Sequence, residues 1–235
     1  TDNQTAKSLA TKMLGEKLED LKTDYSHVKN EISFSSKNIS CSFNDPFFTD
    51  LKDISFDVNV GEIFGIAGVA GNGQSELMDI LVGENTLIDS GELIFNNKNI
   101  EYLGPQKRRD LSIAFVPENR LGHSAVPELT LSENILLSQF PNNKFSKNGI
   151  LNRNSIEDYA IKVIENFNVV TPGSDAKASS LSGGNLQKFV IGREISSKPK
   201  LLIISHPTWG IDAGAEHSIR ESLIDLSKNG TSIIV

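Results

Sequence analysis

Hydrophobic residues follow different spacings along the chain, and each spacing predicts a different kind of element. At 5–22, leucines and a methionine recur at helical spacing, which predicts an amphipathic helix, and the polar residues at 22–30 predict a linker. Apolar and polar residues alternate at 32–34 and 54–60, as they do in half-buried antiparallel strands. The run at 63–67 is apolar apart from one glycine, which predicts a strand buried on both faces.

Three more runs are continuously apolar and predict further strands of the same buried sheet: 113–116, 201–204 and 233–235. Helical spacing returns in one short segment, 75–82, and in two longer ones, 131–140 and 155–167. We therefore predict an α/β fold with a mostly parallel core sheet, an antiparallel β lead-in and a helical subdomain at about 121–180. The final apolar run has no polar cap after it, so we expect the sequence to be truncated at its C-terminus.

A glycine-rich stretch at 68–75, Gly-Val-Ala-Gly-Asn-Gly-Gln-Ser, lies between the first buried strand and the following helix. It matches the phosphate-loop pattern at every fixed position except the lysine, which is replaced by Gln74. The glycines let backbone N–H groups form a cradle, and the hydroxyl of Ser75 is available to magnesium. The missing lysine removes a contact worth about 1.5–3 kcal/mol, which leaves two alternatives, a weakened phosphate site and an ordinary tight turn. The nucleotide-binding candidates are Gly68, Gly71, Asn72, Gly73, Gln74 and Ser75.

A second glycine-rich stretch, at 181–188, opens an amphipathic helix that we expect to run to about Ser197. Ser182 can cap this helix, and Gly183 and Gly184 leave its positive end bare, where a terminal phosphate can dock. The alternative is an ordinary capped helix, because serine followed by glycine is common at such places. A buried strand follows, and Ser205 and His206 come directly after it.

Composition narrows the possible partners and compartments of the protein. The chain has 235 residues, and 23 Lys and Arg against 30 Asp and Glu give it a net charge of −7, which argues against nucleic acid as the main partner. A single cysteine, Cys41, excludes an internal disulfide framework and a thiolate-cluster metal site. No apolar run approaches the roughly 20 residues of a membrane span.

The order and spacing of these motifs resemble the nucleotide-binding domain of ATP-binding-cassette (ABC) transporters over residues 30–235. The matching positions are the phosphate loop at 68–75, the glutamine-loop position at 117–120, the signature motif at 181–185, the Walker B strand at 201–206 and the aspartate loop ending at Asp212. More closely, the chain resembles the C-terminal of two fused domains in bacterial importers of simple sugars and nucleosides. Residues 1–29 are then similar to the tail of a preceding domain and a linker.

The resemblance implies ATP and Mg²⁺ as cofactors, but several charged groups of the family pattern are replaced here. Ser205 stands where a carboxylate holds magnesium, His206 where a glutamate polarises water, and Glu118 where a glutamine is usual. We therefore expect this domain's own site to bind nucleotide weakly and to hydrolyse it slowly. His206 acting as the general base is the alternative.

The signature motif is intact, and the resemblance implies that it acts in trans. Ser182, Gly183, Gly184 and Asn185 are expected to complete the ATP site of a second nucleotide-binding domain, and Asp212 to link the two sites. The implied partners are that second domain, membrane permease subunits and, indirectly, a solute-binding protein, all at the cytoplasmic face of the bacterial plasma membrane. The rival functions are a regulatory pseudo-ATPase and a soluble ABC protein acting on nucleic acid.

Three features outside these motifs have open alternatives. Phe43 or Phe47 can stack on adenine, although packing is the preferred interpretation for both. The basic cluster at 107–109 is expected to form a solvated face. Trp209 either lies at the interface of the domain pair or is buried within its own domain.

Overall fold

The computed structural model describes residues 25–139, 145–147 and 150–235. In chain order the elements are β1 (Ile32–Cys41), β2 (Leu51–Asn59), β3 (Ile63–Phe64), α1 (Gln74–Val82), β4 (Ser90–Phe95), β5 (Lys98–Asn99), α2 (Pro105–Asp110), β6 (Ile113–Val116), α3 (Leu131–Gln139), β7 (Ser146–Lys147), β8 (Ile150–Leu151), α4 (Arg153–Asn166), α5 (Gly183–Ser196), β9 (Leu201–Ile204), α6 (Ala213–Lys228) and β10 (Ser232–Ile234), with a 3₁₀ turn at Ala178–Ser180 before α5. The helix predicted at 5–22 lies outside the described residues.

Two four-stranded sheets form the frame of the molecule. The antiparallel sheet has the strand order β2-β1-β4-β5, and the parallel sheet has the order β3-β10-β9-β6. In the parallel sheet Ile113 pairs with Leu201 and Val116 with Ile204. The predicted α/β fold, with a parallel core and an antiparallel lead-in, is confirmed.

One predicted strand is wrong in length and burial. The apolar run at 63–67 contributes only Ile63 and Phe64 to the sheet, and both are half-buried. Within the described residues β3 pairs only with β10, at one edge of the parallel sheet. After Phe64 one more hydrogen bond follows the sheet, from the Ile66 N–H to the Val235 carbonyl oxygen at 2.7 Å, and the backbone then enters the glycine-rich loop.

Strands β6 and β9 of the parallel sheet are fully buried, which explains why they are continuously apolar. Alternate residues of β6 belong to two separate apolar clusters: Ile113 and Phe115 pack with α1 and the antiparallel sheet, whereas Ala114 and Val116 pack with α3–α6. Each cluster removes one face of the sheet from water, and this burial is the main stabilising contribution.

The region between β6 and α5 contains α3, α4 and the short β7–β8 hairpin, which periodicity did not predict. Leu131 and Ile135 are fully buried in the same cluster as α5, and Leu136 packs against it. These side chains of α3 therefore pack inside the molecule. Among the described residues, no helix has the length and apolar character needed to cross a bilayer.

The basic cluster at 107–109 does not form a solvated face, contrary to expectation. Lys107 is exposed, but Arg108 is fully buried and donates hydrogen bonds to the carbonyl oxygens of Ile80 (2.7 Å) and Leu103 (2.7 Å). Arg109 forms an ion pair with the buried Glu194 at 2.8 Å. Burial lowers the pKa of Arg108 to about 10, partly opposed by a neighbouring carboxylate. Arg108 thus donates to one carbonyl group in the last turn of α1, at Ile80, and to one just before α2, at Leu103.

Glu194 joins α5 to the rest of the core. Burial disfavours ionisation of this carboxyl, but the guanidinium groups of Arg109 and Arg193 overcome it and hold its pKa below the usual value. Arg193 also donates to the carbonyl oxygen of Ser124 at 2.9 Å, in the segment that enters the helical subdomain. The C-terminal half of α5 is therefore held by a buried ionic network, while its N-terminal end faces outward.

Candidate functional site

The loops that follow β3, β6 and β9 leave the same edge of the parallel sheet, because parallel strands end at one side. The Ser205 N–H donates to the carbonyl oxygen of Val116 at 2.9 Å, which joins the ends of β9 and β6. The phosphate loop, Glu118, Ser205 and His206 therefore share one edge of the sheet, as the resemblance implies. Glu118 and His206 are exposed, and Ser205 is half-buried.

The phosphate loop depends on glycine at two positions with left-handed backbone, Gly71 (φ 86°) and Gly73 (φ 95°). A Cβ on Gly73 would lie 2.8 Å from a methyl carbon of Leu51, so a side chain there is excluded sterically as well. Thr49 fastens the loop: its hydroxyl donates to the Gly71 carbonyl oxygen at 3.1 Å, and its N–H donates to Glu76 at 2.9 Å. The conformation of the loop is thus fixed by its glycines and by Thr49, and the loop leads into the N-terminus of α1.

Gln74 lies at the one position of the phosphate loop where the family pattern has a lysine. Its Nε2 donates to the Val69 carbonyl oxygen at 3.0 Å, and its Oε1 accepts the Asn72 N–H at 3.1 Å. A Cβ on Gly68 would lie 2.5 Å from the same Nε2, so the side chain folds back across the loop. One backbone donor of the cradle, the Asn72 N–H, is therefore already used within the loop.

Oxygen ligands for magnesium are few at this edge. Ser75 is exposed, Glu118 carries an exposed carboxylate, and Ser205 offers only a hydroxyl. Within the described residues, no group of three or more His, Cys, Asp or Glu side chains is placed to hold a metal ion. These ligands fit a magnesium ion that keeps water and phosphate oxygens as most of its coordination shell, which is its usual mode.

His206 and Trp209 form an aromatic pair on the surface beside β9. Their ring centroids are 5.4 Å apart, and His206 has a left-handed backbone with φ of 47°. Trp209 is 62% exposed, so the alternative of burial within its own domain is wrong. Gln187 of α5 donates to the Pro207 carbonyl oxygen at 3.2 Å and holds this loop against the signature helix.

The signature residues lie at an open helix end. Ser182 is the N-cap of α5, and its hydroxyl oxygen accepts hydrogen bonds from the Asn185 N–H (3.4 Å) and the Asn185 Nδ2 (3.0 Å). Ser182 and Gly183 are exposed, whereas Gly184 is half-buried, and a Cβ on it would lie 3.9 Å from Ile211. The helix end predicted for phosphate docking is therefore accessible.

Arg120 is a residue of this surface to which the sequence pattern assigned no role. Its guanidinium donates to the Trp209 carbonyl oxygen, and a Cβ on Gly183 would lie 3.0 Å from one of its nitrogens. Arg120 thus places a positive charge between the signature helix and the Trp209 loop. The sequence indicated only that Arg120 belongs to the Pro-Glu-Asn-Arg run at 117–120, where the family has its glutamine loop.

Asp212 is the N-cap of α6, and its carboxylate accepts the Ala215 N–H at 2.9 Å. This hydrogen bond, followed by the charge of Lys188, lowers the pKa of Asp212. The structure therefore gives Asp212 a local capping role, and its expected part in linking two sites stays a prediction.

The loop between β1 and β2 carries the adenine-stacking candidates. Phe43 is half-buried and stacks on Phe48, with ring centroids 5.4 Å apart. Phe47 is 92% exposed, so the packing interpretation is wrong for this residue. Thr49 connects the same loop to the phosphate loop, which leaves Phe47 as the unpacked aromatic near the candidate site.

Comparisons with known proteins agree with this geometry. The chain is 43% identical to a nucleoside import ATP-binding protein of Lactococcus lactis subsp. cremoris and 39% identical to a guanosine import ATP-binding protein of Bacillus subtilis, over 79% of this chain in each case. It spans 36% of the length of each relative. The fold matches a dimeric ATP-binding cassette solved with ADP and phosphate, with a TM-score of 0.73 at 22% identity over 86% of both chains.

A family model described as "ABC transporter" matches residues 51–209, which include the phosphate loop, the signature motif and the strand before His206. The matched segment covers more than half of the 235 residues. The chain belongs to the ABC transporter family.

Proposed function

We propose that this chain is an ATP-binding, energy-coupling domain of an ABC importer for nucleosides or simple sugars, in the C-terminal position of a fused pair. The observation that carries the proposal is the accessible signature end of α5, where Ser182 and Gly183 are exposed at the positive end of the helix. The transported class is supported by the names of the nucleoside and guanosine import relatives.

In this proposal the domain's own site binds ATP weakly and hydrolyses it slowly. The backbone cradle and the dipole of α1 remain, but Gln74 brings no charge to the phosphates and engages the loop itself. A bound magnesium ion would neutralise phosphate charge, with Ser75 and Glu118 as its protein ligands. Ser205 and His206 replace both carboxylates after β9, and the loss of a positioned base costs about 10²–10⁴ in rate.

The signature residues serve the other site of the pair. Ser182, Gly183, Gly184 and Asn185 face the phosphate loop of a second nucleotide-binding domain, and Ser182, Gly183 and Gly184 bind the terminal phosphate there. Arg120 adds a positive charge beside Gly183, which favours an anionic ligand at this surface. Trp209, 62% exposed beside the same helix end, is then part of the interface with that second domain.

The remaining partners follow from the same assignment. The helical subdomain contacts membrane permease subunits, a solute-binding protein acts indirectly, and the assembly lies at the cytoplasmic face of the plasma membrane.

Phe47 stacks on adenine, because it is the unpacked aromatic of the loop that Thr49 connects to the phosphate loop. Magnesium accompanies ATP at both sites.

One observation favours a second candidate function, a regulatory pseudo-ATPase that uses nucleotide as a structural clamp. Gln74 brings no charge to the phosphates and both of its polar atoms bond within the loop, which suits a site that binds nucleotide without hydrolysing it. A clamp of that kind does not require exposed signature residues at the N-terminus of α5, and their exposure therefore favours the trans role.

The test is the Ser182→Ala variant of the full-length protein, with steady-state ATPase activity as the readout. We expect a loss of about tenfold or more, since a hydrogen bond to a charged group is removed. Ser179→Ala is the matched control, because Ser179 is exposed in the turn just before α5. Unchanged activity of Ser182→Ala would contradict the trans role.

A further inference from the structure

We propose that Asn185 is a positioning residue that fixes the Ser182 hydroxyl as an outward hydrogen-bond donor toward a phosphate oxygen. This inference rests on the proposed trans role of the signature residues and adds a mechanism to it. It depends on three contacts of Asn185, two of its side-chain amide and one of its backbone N–H, which together determine where the serine proton lies.

The first step is the orientation of the Asn185 amide. A side-chain amide can be turned either way around, and only its partners decide which end is oxygen. The Val170 N–H lies 3.0 Å from Asn185 Oδ1, and a backbone N–H can only donate. The oxygen of Asn185 must therefore face Val170, which leaves the NH₂ group facing Ser182.

The second step concerns the hydroxyl oxygen of Ser182. This oxygen has two lone pairs, and both have donors: the Asn185 Nδ2 at 3.0 Å and the Asn185 N–H at 3.4 Å. The hydroxyl can accept no further hydrogen bond in good geometry. Its own hydrogen has no acceptor within the part of the chain that the structure describes, and Ser182 is exposed.

The third step is what such a hydroxyl can bind. A hydroxyl whose lone pairs are occupied acts as a donor only, so it selects a ligand that accepts hydrogen bonds. The surroundings share this polarity, because the N–H groups at the start of α5 and the Arg120 guanidinium beside Gly183 are also donors. Phosphate oxygens are acceptors that match all of these groups.

Asn185 acts through Ser182 and does not itself need to touch the ligand. Its amide bridges the segment after α4, at Val170, to the N-cap of α5. Because the Val170 N–H holds the amide of Asn185 in place, Asn185 determines the direction in which the Ser182 hydroxyl hydrogen points. A side chain without the NH₂ donor would leave one lone pair of Ser182 open and the hydroxyl free to rotate.

A double-mutant cycle in the full-length protein tests this dependence, with kcat and KM for ATP as readouts. The variants are Ser182→Ala, Asn185→Leu and the two combined, since leucine keeps the shape of asparagine but has no polar group. We expect Asn185→Leu to lower kcat by about 5–10-fold. In the Ser182→Ala background the same change should cost less than about twofold, because the group it acts through is gone.

Val170→Ala is the matched control, because it keeps the backbone N–H and alters a side chain that is 76% exposed. Thermal unfolding of each variant separates a folding defect from a positioning effect. Full activity of Asn185→Leu, or an equal cost in both backgrounds, would overturn the positioning role while leaving the trans role intact. Full activity of Ser182→Ala would instead overturn the proposed function, and the positioning role with it.

Discussion

Gln74 Nε2 donates a hydrogen bond to the Val69 carbonyl oxygen at 3.0 Å, so the side chain at the lysine position turns back onto its own loop. A neutral amide in this place holds the loop together but provides no charge for a triphosphate. The same side chain accepts the Asn72 N–H, which a phosphate oxygen would otherwise use. Both effects are expected to weaken nucleotide binding at this site.

The Gln74→Lys variant of this chain is therefore expected to bind ATP more tightly. Restoring an ammonium group adds a charge-assisted contact, worth about 10- to 150-fold in affinity. Isothermal titration calorimetry with ATP measures the change. Val69→Lys is the control, because it places the same charge on an exposed side chain of the loop, and equal tightening by both variants would show that general electrostatics is the cause.

Arg108 is expected to be essential for stability although it lies in a basic cluster. Replacing it with methionine leaves the carbonyl groups of Ile80 and Leu103 buried without their donor and should cost about 3–5 kcal/mol. Lys107→Met on the same helix is exposed and should change stability by less than about 0.5 kcal/mol. Urea unfolding of the two variants makes the comparison, and equal midpoints would contradict the capping role of Arg108.

Asp212 should give the protein a pH-dependent contribution to stability. Its pKa is lowered in the folded state, so the contribution is complete above the unfolded pKa of about 3.9 and is lost as pH falls through the lower folded pKa. Asp212→Asn keeps a capping side chain but cannot titrate. The difference in unfolding free energy between the two proteins should be constant between about pH 5 and pH 7, and it should shrink below about pH 4. A difference that does not change with pH would contradict this assignment.

His206→Ala should leave the ATPase activity of the full-length protein within about twofold of wild type, because the proposed turnover occurs at the other site. If His206 were a general base, its removal would lower the rate by about 10²–10⁴. The backbone at this position has a φ of 47°, so His206→Asn, which tolerates that conformation, is the second variant. A large loss in both variants would contradict a degenerate site.

The sequence predicted the parts of the fold that depend on local spacing. The apolar runs of β6 and β9 are buried on both faces, and such strands are recognisable without any knowledge of their neighbours. The run at 63–67 was predicted too long, because its last residues lead into the glycine-rich loop. Nothing within these five residues marks where a strand ends and such a loop begins.

Side-chain partners that are distant in sequence were not predictable. Arg108 reaches carbonyl groups 28 residues away, and Arg120 reaches Trp209 across 89 residues. A basic residue in a short helix is usually solvated, and only the packing of α2 against the end of α1 changes this. The exposure of Phe47 likewise depends on how the β1–β2 loop folds, with Phe43 taking the packed position beside Phe48.

The two proposed sites are unequal: this chain's own site binds ATP weakly and hydrolyses it slowly, whereas the other site hydrolyses ATP with the help of this chain's signature residues. The most direct measurement of this difference is the fate of labelled ATP bound to the full-length protein in a single-turnover experiment with acid quench. We expect one bound ATP per molecule to be converted to ADP within that turnover, while ATP at the other site is not yet hydrolysed. Hydrolysis of both bound nucleotides at the same rate would contradict this expectation.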